Sequence, residues 1–231
     1  VRERSRLRWK TEKPASTETE KEKRVSPPPT DIQAVLTVLN RRNLSYKKGE
    51  EDRLDLSGSD FSWTKLGRVS LREMNLSVAN FEGADLVEAN LSGAILTKAD
   101  LSEANLTKAN LSEADLSEAN ISKAILTEAN LSKAILTEAD LVLTKLIKAD
   151  LSEANLKGAC LFIAKLDEAN LKGADLSNLS NKMDPFGTPL TQEQISVAIT
   201  DENTKLPNYR QALNSQQSET SSQSKSPPQQ P

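Results

Sequence analysis

The sequence predicts an all-β solenoid, and two observations carry that prediction. A central Leu or Phe recurs at every fifth residue from Leu56 to Leu176, with Ile121 the one exception. The residue two before the centre is Ala in every unit from Ala79 to Ala174 except at Thr144. Each unit reads Ala-(Asp/Asn)-Leu-(Ser/Thr)-(Glu/Lys/Gly). Ala, Leu, Glu and Lys are strong helix formers, yet a helix is excluded by the period. Steps of five residues rotate successive Leu side chains by about 140° and leave no apolar stripe. A flat strand is excluded as well, because an odd repeat sends successive Leu residues to opposite faces. The chain therefore turns a corner in every unit, which makes it a solenoid.

Segments such as Ala99-Asp100-Leu101-Ser102-Glu103 and Ala109-Asn110-Leu111-Ser112-Glu113 match the A(D/N)LXX motif, and the chain from 54 to 180 resembles the pentapeptide-repeat family. The resemblance implies a right-handed quadrilateral parallel β-helix with four pentapeptides per coil, here about six coils. It also implies that the centre and the residue two before it point inward while the other three positions point out. A narrow interior that takes one large and one small side chain per corner agrees with the Leu and Ala pattern.

A coil of four units places residues twenty apart in one column. One outer column then reads Arg68, Glu88, Lys108, Glu128, Lys148, Glu168, and another reads Glu113, Lys133, Glu153. Signs alternate in both, as stacking between neighbouring strands favours. The column Asp60, Asn80, Asp100, Asn120, Asp140 separates each carboxylate from the next by an amide. That spacing suits a structural ladder better than a paired-carboxylate catalyst.

The 231 residues carry a formal charge of −3, divided into unlike zones. Residues 1–49 hold 13 Lys/Arg against 6 Asp/Glu, residues 50–180 hold 13 against 22, and residues 181–231 hold 4 against 5. Only the middle zone has the apolar content to bury a core, so one domain with two tails is expected. Residues 1–29 are charged and end in Pro27-Pro28-Pro29, which predicts a disordered basic, Pro-rich segment. Residues 30–53 open on the capping box Thr30-Asp31-Ile32-Gln33. Ile32, Val35, Leu36 and Leu39 then share one helical face, so an N-terminal capping helix and loop are expected.

The repeat zone spans 54–180, and its first units are irregular, with Ser59, Thr64, Val69 and Met74 at the Ala position. Phe61 and Phe81, centres twenty apart, are expected to stack inside the rod. Residues 181–213 form the expected C-terminal cap. Thr191-Gln192-Glu193-Gln194 is a second capping box with Leu190 and Ile195 as a hydrophobic staple, opening a short helix to about Ile199. Residues 214–231 are Ser/Gln/Pro-rich and expected to be disordered.

No stretch approaches the ~20 apolar residues of a membrane helix, and the expected location is cytoplasmic. The block from Thr30 to Arg42 resembles one in larger bacterial pentapeptide proteins, where it follows a membrane-anchored region. A C-terminal portion of such a protein is thus one reading of this chain.

The chemistry is sparse. His is absent and Cys160 is the only cysteine, which excludes His-based catalytic sites, imidazole metal sites and intrachain disulfides. Cys160 takes an outward position normally held by Asp or Asn and is expected to be a surface thiol without a base partner. With 8 Gly in all, the chain lacks the glycine-bearing turns of a calcium solenoid. No catalytic residue, cofactor or metal is expected, and a filled prism offers no substrate pocket.

Outward positions are nearly all polar until Val142, Leu143 and Ile147, followed by Phe162 and Ile163. The twenty-residue rule stacks Val142 with Phe162 and Leu143 with Ile163, and the five residues form the candidate interaction patch. Ile95, Ile125 and Ile135 are expected as singly exposed apolar residues. Two occupants fit the patch: a partner protein or second copy, and the segment after Leu179 folded back. The functional expectation is a non-enzymatic scaffold acting through protein–protein contact. The alternative implied by the resemblance is a DNA mimic that inhibits type II topoisomerase (gyrase), against which Lys98, Lys108, Lys123, Lys133, Lys145 and Lys148 interrupt the acidic surface. Direct nucleic-acid binding is disfavoured because the repeat zone is acidic and repels phosphate.

Overall fold

A computed structural model describes residues 53–180 and 190–207. The expectations for 1–29, for 30–52 and for 214–231, and the parts of the expected C-terminal cap at 181–189 and 208–213, lie outside the described residues.

From Leu56 to Leu179 the chain repeats one local geometry, and the repeat unit explains its own sequence through the fate of its five amides. In the unit centred on Leu111, Asn110 N–H bonds Ala89 O on one neighbouring coil (2.8 Å), and Leu111 N–H bonds Asn130 O on the other (2.7 Å). Glu113 N–H reaches Ser132 O (3.0 Å), and Ala114 N–H returns to Leu111 O (3.1 Å). The fifth amide, Ser112 N–H, has no backbone partner and is accepted by the Asn110 side chain at 3.0 Å. Buried or half-buried amides need acceptors. Asp or Asn before the centre supplies the one that the backbone cannot.

The Ala114-to-Leu111 bond closes a four-residue turn whose third residue has positive φ, the pattern of a type II turn. That residue has φ between 54° and 75° in each unit from Gly58 to Asn178, twenty of the 25 being non-glycine. The left-handed conformation costs a non-glycine residue about 1 kcal/mol, so the turn is imposed by the ladder on either side rather than preferred locally.

Consecutive coils meet in parallel bridges at the Asp/Asn position, always twenty residues apart, from Asp55 with Asn75 to Asn155 with Asp175. Four pentapeptides therefore complete each coil. The Leu centres and Ala residues from Leu76 to Leu176 are buried and form one continuous apolar core. Phe61 and Phe81 stack within it at a centroid separation of 5.0 Å and 17° between planes. Two departures from Ala are accommodated by hydrogen bonds: Thr64 Oγ1 donates to Phe61 O (2.6 Å) and Thr144 Oγ1 to Ile121 O (3.0 Å).

The C-terminal segment closes the last row. The helix α1, Gln192–Ser196, opens on Thr191 with both halves of the capping box formed, and Leu190 and Ile195 join the core. It ends before Ile199, short of the expected length. Beyond it the last coil still offers unpaired backbone, and Ile199 takes it, donating to Ala169 O (2.8 Å) and accepting from Leu171 N–H (2.7 Å). Lys205 does the same one corner on, between Ala174 and Leu176, and bridges Asp175. Gln194 Nε2 donates to Ala164 O at 2.8 Å.

Candidate functional site

The expected charge columns resolve into separate pairs rather than continuous ladders. Arg68 meets Glu88 at 2.9 Å, Lys108 meets Glu128 at 3.5 Å and Lys148 meets Glu168 at 3.7 Å. Lys133 meets Glu153 at 3.9 Å. The side chains are largely exposed, and such pairs contribute about 0–1 kcal/mol each. The Asp/Asn columns pair likewise: Asn80 Nδ2 donates to Asp60 and Asn120 Nδ2 to Asp100, both at 3.1 Å. Among the described residues no group of three or more His, Cys, Asp or Glu is arranged to hold a metal ion. No helix among them is long and apolar enough to cross a membrane.

Two carboxylates are perturbed, both where the C-terminal segment joins the rod. Asp175 is lowered from 3.8 to about 2, first by the hydrogen bond from the Ser177 side chain and then by Lys205 at 2.9 Å. Asp201 is also lowered, chiefly because it accepts Gly173 N–H at 3.0 Å.

The five patch residues divide in a way that column position alone does not foretell. Leu143 and Ile163 are 44% and 53% exposed, whereas Val142 is buried at 8%. Ile147 and Phe162 are half-buried. Residues 142–143 and 162–163 are turn positions, so they form a corner edge of the rod rather than a flat face. Leu143 N–H bonds Phe162 O at 3.0 Å, fixing these two rows in register. The segment 190–207 leaves Leu143 and Ile163 open.

Cys160 requires correction. Its residue type occupies an outward Asp/Asn position, but the thiol is 7% exposed and buried. Asp and Asn extend to accept the amide two residues on, as Asp140 does for Val142 at 3.0 Å. A thiol is a weak acceptor and behaves as a small apolar group, and Cys160 lies buried outside the continuous Leu and Ala core. Of the three isoleucines at this position, Ile135 is exposed while Ile95 and Ile125 are half-buried.

The sequence profile described as pentapeptide repeats (8 copies) matches residues 55–93, 84–122 and 124–161. Over this stretch the chain carries the repeats of the pentapeptide-repeat family. Among solved structures it is similar to HetL of the cyanobacterium Nostoc sp. strain PCC 7120, involved in heterocyst differentiation regulation, at 37% identity and a TM-score of 0.22. That match covers 55% of this chain and 65% of HetL, just under two thirds of its length. A pentapeptide repeat protein of the Arabidopsis thaliana thylakoid lumen is 27% identical, with 75% of this chain and 97% of that chain covered and a TM-score of 0.25. QnrB1, a plasmid-mediated fluoroquinolone resistance protein, is 22% identical over 71% of this chain and 82% of its own, with a TM-score of 0.38. A search of curated proteins finds no match.

Proposed function

We propose that this chain is a non-enzymatic scaffold, a rigid right-handed quadrilateral rod of about six coils, roughly 29 Å long at the inter-strand spacing, that binds another protein through one corner edge. The observation that supports it is the pair Leu143 and Ile163, exposed one above the other on bridged coils, whereas the exposed Val78 and Ile135 have no apolar residue twenty positions away. Contiguous exposed apolar side chains on a soluble rod favour association. Val142 and Phe162 lie behind them and support the edge; the contact itself falls to the exposed pair.

Affinity capture with the tagged chain tests this reading, comparing wild type with Leu143→Ser plus Ile163→Ser. The wild type retains a specific protein, or associates with itself in sedimentation, and the variant loses that association with an unchanged melting temperature. Association that survives the double change overturns the proposal. A topoisomerase-blocking DNA mimic would need an unbroken acidic face, and the Lys–Glu pairs at 108/128, 133/153 and 148/168 interrupt it. The rod is therefore expected to leave gyrase supercoiling uninhibited, and inhibition at micromolar protein would reverse the ranking of the two readings.

A further inference from the structure

Three departures from the repeat converge on the rows that carry Leu143 and Ile163. The first is electrostatic. Lys145 and Lys165 bridge each other directly, both are exposed, and neither joins an ion pair of the kind that links other charges twenty residues apart. Stacked like charges destabilise neighbouring strands, so this pair works against the rod unless something acidic meets it.

The second departure concerns amides. Asp or Asn before the centre is replaced at Lys145, Cys160 and Lys165. The amides of Ile147, Phe162 and Asp167 consequently have no protein acceptor among the described residues. Lys65 and the isoleucine replacements leave Gly67, Thr97, Thr127 and Thr137 in the same state, but only here do such amides fall beside a stacked pair of exposed lysines and an exposed aliphatic pair. The third departure is conformational. Ile163 is β-branched at φ 57° and Leu143 sits at φ 59°, positions that elsewhere hold mostly Glu, Lys or Gly. A β-branched residue at positive φ is an outlier that the fold does not ask for.

We propose, resting on the interaction reading above, that this edge docks an acidic polypeptide segment whose apolar side chains pack on Leu143 and Ile163 while its carboxylates pair with Lys145 and Lys165. Charge complementarity selects this occupant. An anionic membrane is drawn by clusters of about four to eight basic residues, and this edge offers two on a zone of 22 acidic against 13 basic residues. A second copy meeting the same edge brings two more lysines rather than carboxylates.

The test uses the full chain and three probes: a fluorescein-labelled peptide alternating Leu with Glu, its Leu–Lys counterpart, and phosphatidylserine–phosphatidylcholine vesicles. The Leu–Glu peptide binds, with affinity falling as salt rises, and the other two probes do not. Lys145→Glu with Lys165→Glu lowers that affinity by about tenfold or more. The single change Lys145→Glu converts a like pair into an opposite pair, so it weakens binding while raising the melting temperature. A lowered melting temperature would instead mark the lysine as structural and overturn the assignment. So would absent Leu–Glu binding, equal binding of the Leu–Lys peptide, vesicle co-sedimentation, or indifference to the double lysine change. The two proposals fail separately. Partner capture lost with Leu143→Ser and Ile163→Ser but kept with both lysines reversed refutes only the acidic partner; capture indifferent to the apolar pair refutes the interaction edge itself.

Discussion

Asn120 donates from Nδ2 to Asp100 Oδ1 across 3.1 Å, one full coil away, while the same Asp100 oxygen accepts Ser102 N–H at 3.0 Å. A single carboxylate oxygen thus completes its own turn and ties the next coil to it. The donor in this pair cannot be an aspartate. Asn120→Asp removes the donor and sets a second carboxylate against the first, so it should cost about 1–3 kcal/mol. Asp100→Asn keeps an acceptor for Ser102 and should cost less. Melting curves of the two variants check the asymmetry, and equal losses would show that the ladder carries no directionality.

Inward and outward positions should respond differently to substitution. Leu111 and Ala109 are buried in the core, whereas Glu113 is exposed and has no ion pair. Leu111→Ala opens a cavity and should cost about 2–5 kcal/mol. Ala109→Leu overpacks a filled interior at about 1–3 kcal/mol. Glu113→Ala should stay within about 0.5 kcal/mol, since Ala and Glu are equally disfavoured at its φ of 58°. Denaturant unfolding measures all three, and equal sensitivity at 111 and 113 would refute the inward and outward assignment.

Among the described residues, Gly83 is the one glycine whose neighbour forbids a side chain. Its φ is +64°, and a Cβ there would lie 2.5 Å from the Trp63 ring one coil below. Gly83→Ala should therefore cost more than the backbone penalty of about 1 kcal/mol. Trp63→Ala should remove the excess, leaving the conformational part. A double-mutant cycle reads the coupling directly; additive effects would mean the indole does not lie across Gly83.

Much of the fold was legible because the repeat is a physical ruler. The five-residue period excluded helix and flat strand, and the twenty-residue register foretold the Phe61–Phe81 stack and the Arg68–Glu88, Lys108–Glu128 and Lys148–Glu168 pairs. The capping box at Thr191 was readable because it is local in sequence. Burial at Cys160 and Val142 was not readable, because column position says which way a residue starts but not how closely the adjoining coils cover it. The lysine pair at 145 and 165 lies in a column whose signs do not alternate, which the sequence shows. The free amides of Ile147, Phe162 and Asp167 beside it depend on hydrogen bonds that column position does not reveal.

Acidification should loosen the C-terminal closure through Asp175. Its carboxylate is lowered from 3.8 to about 2, so it favours the folded state above about pH 4, and that contribution fades as pH falls through 2. Asp175→Asn keeps an acceptor for Ser177 but loses the pair with Lys205. The melting temperature of the wild type should accordingly exceed that of Asp175→Asn most at neutral pH, with the gap narrowing between pH 4 and 2. Identical slopes for the two proteins in that window would remove Asp175 as the cause. The origin of the depression can be separated by following the Asp175 carboxyl carbon by NMR. The Ser177 side chain is the largest single cause, and Lys205 acts both by hydrogen bond and by charge. Ser177→Ala and Lys205→Ala should therefore each raise the titration midpoint, and a midpoint unmoved by either change would remove that residue as a cause.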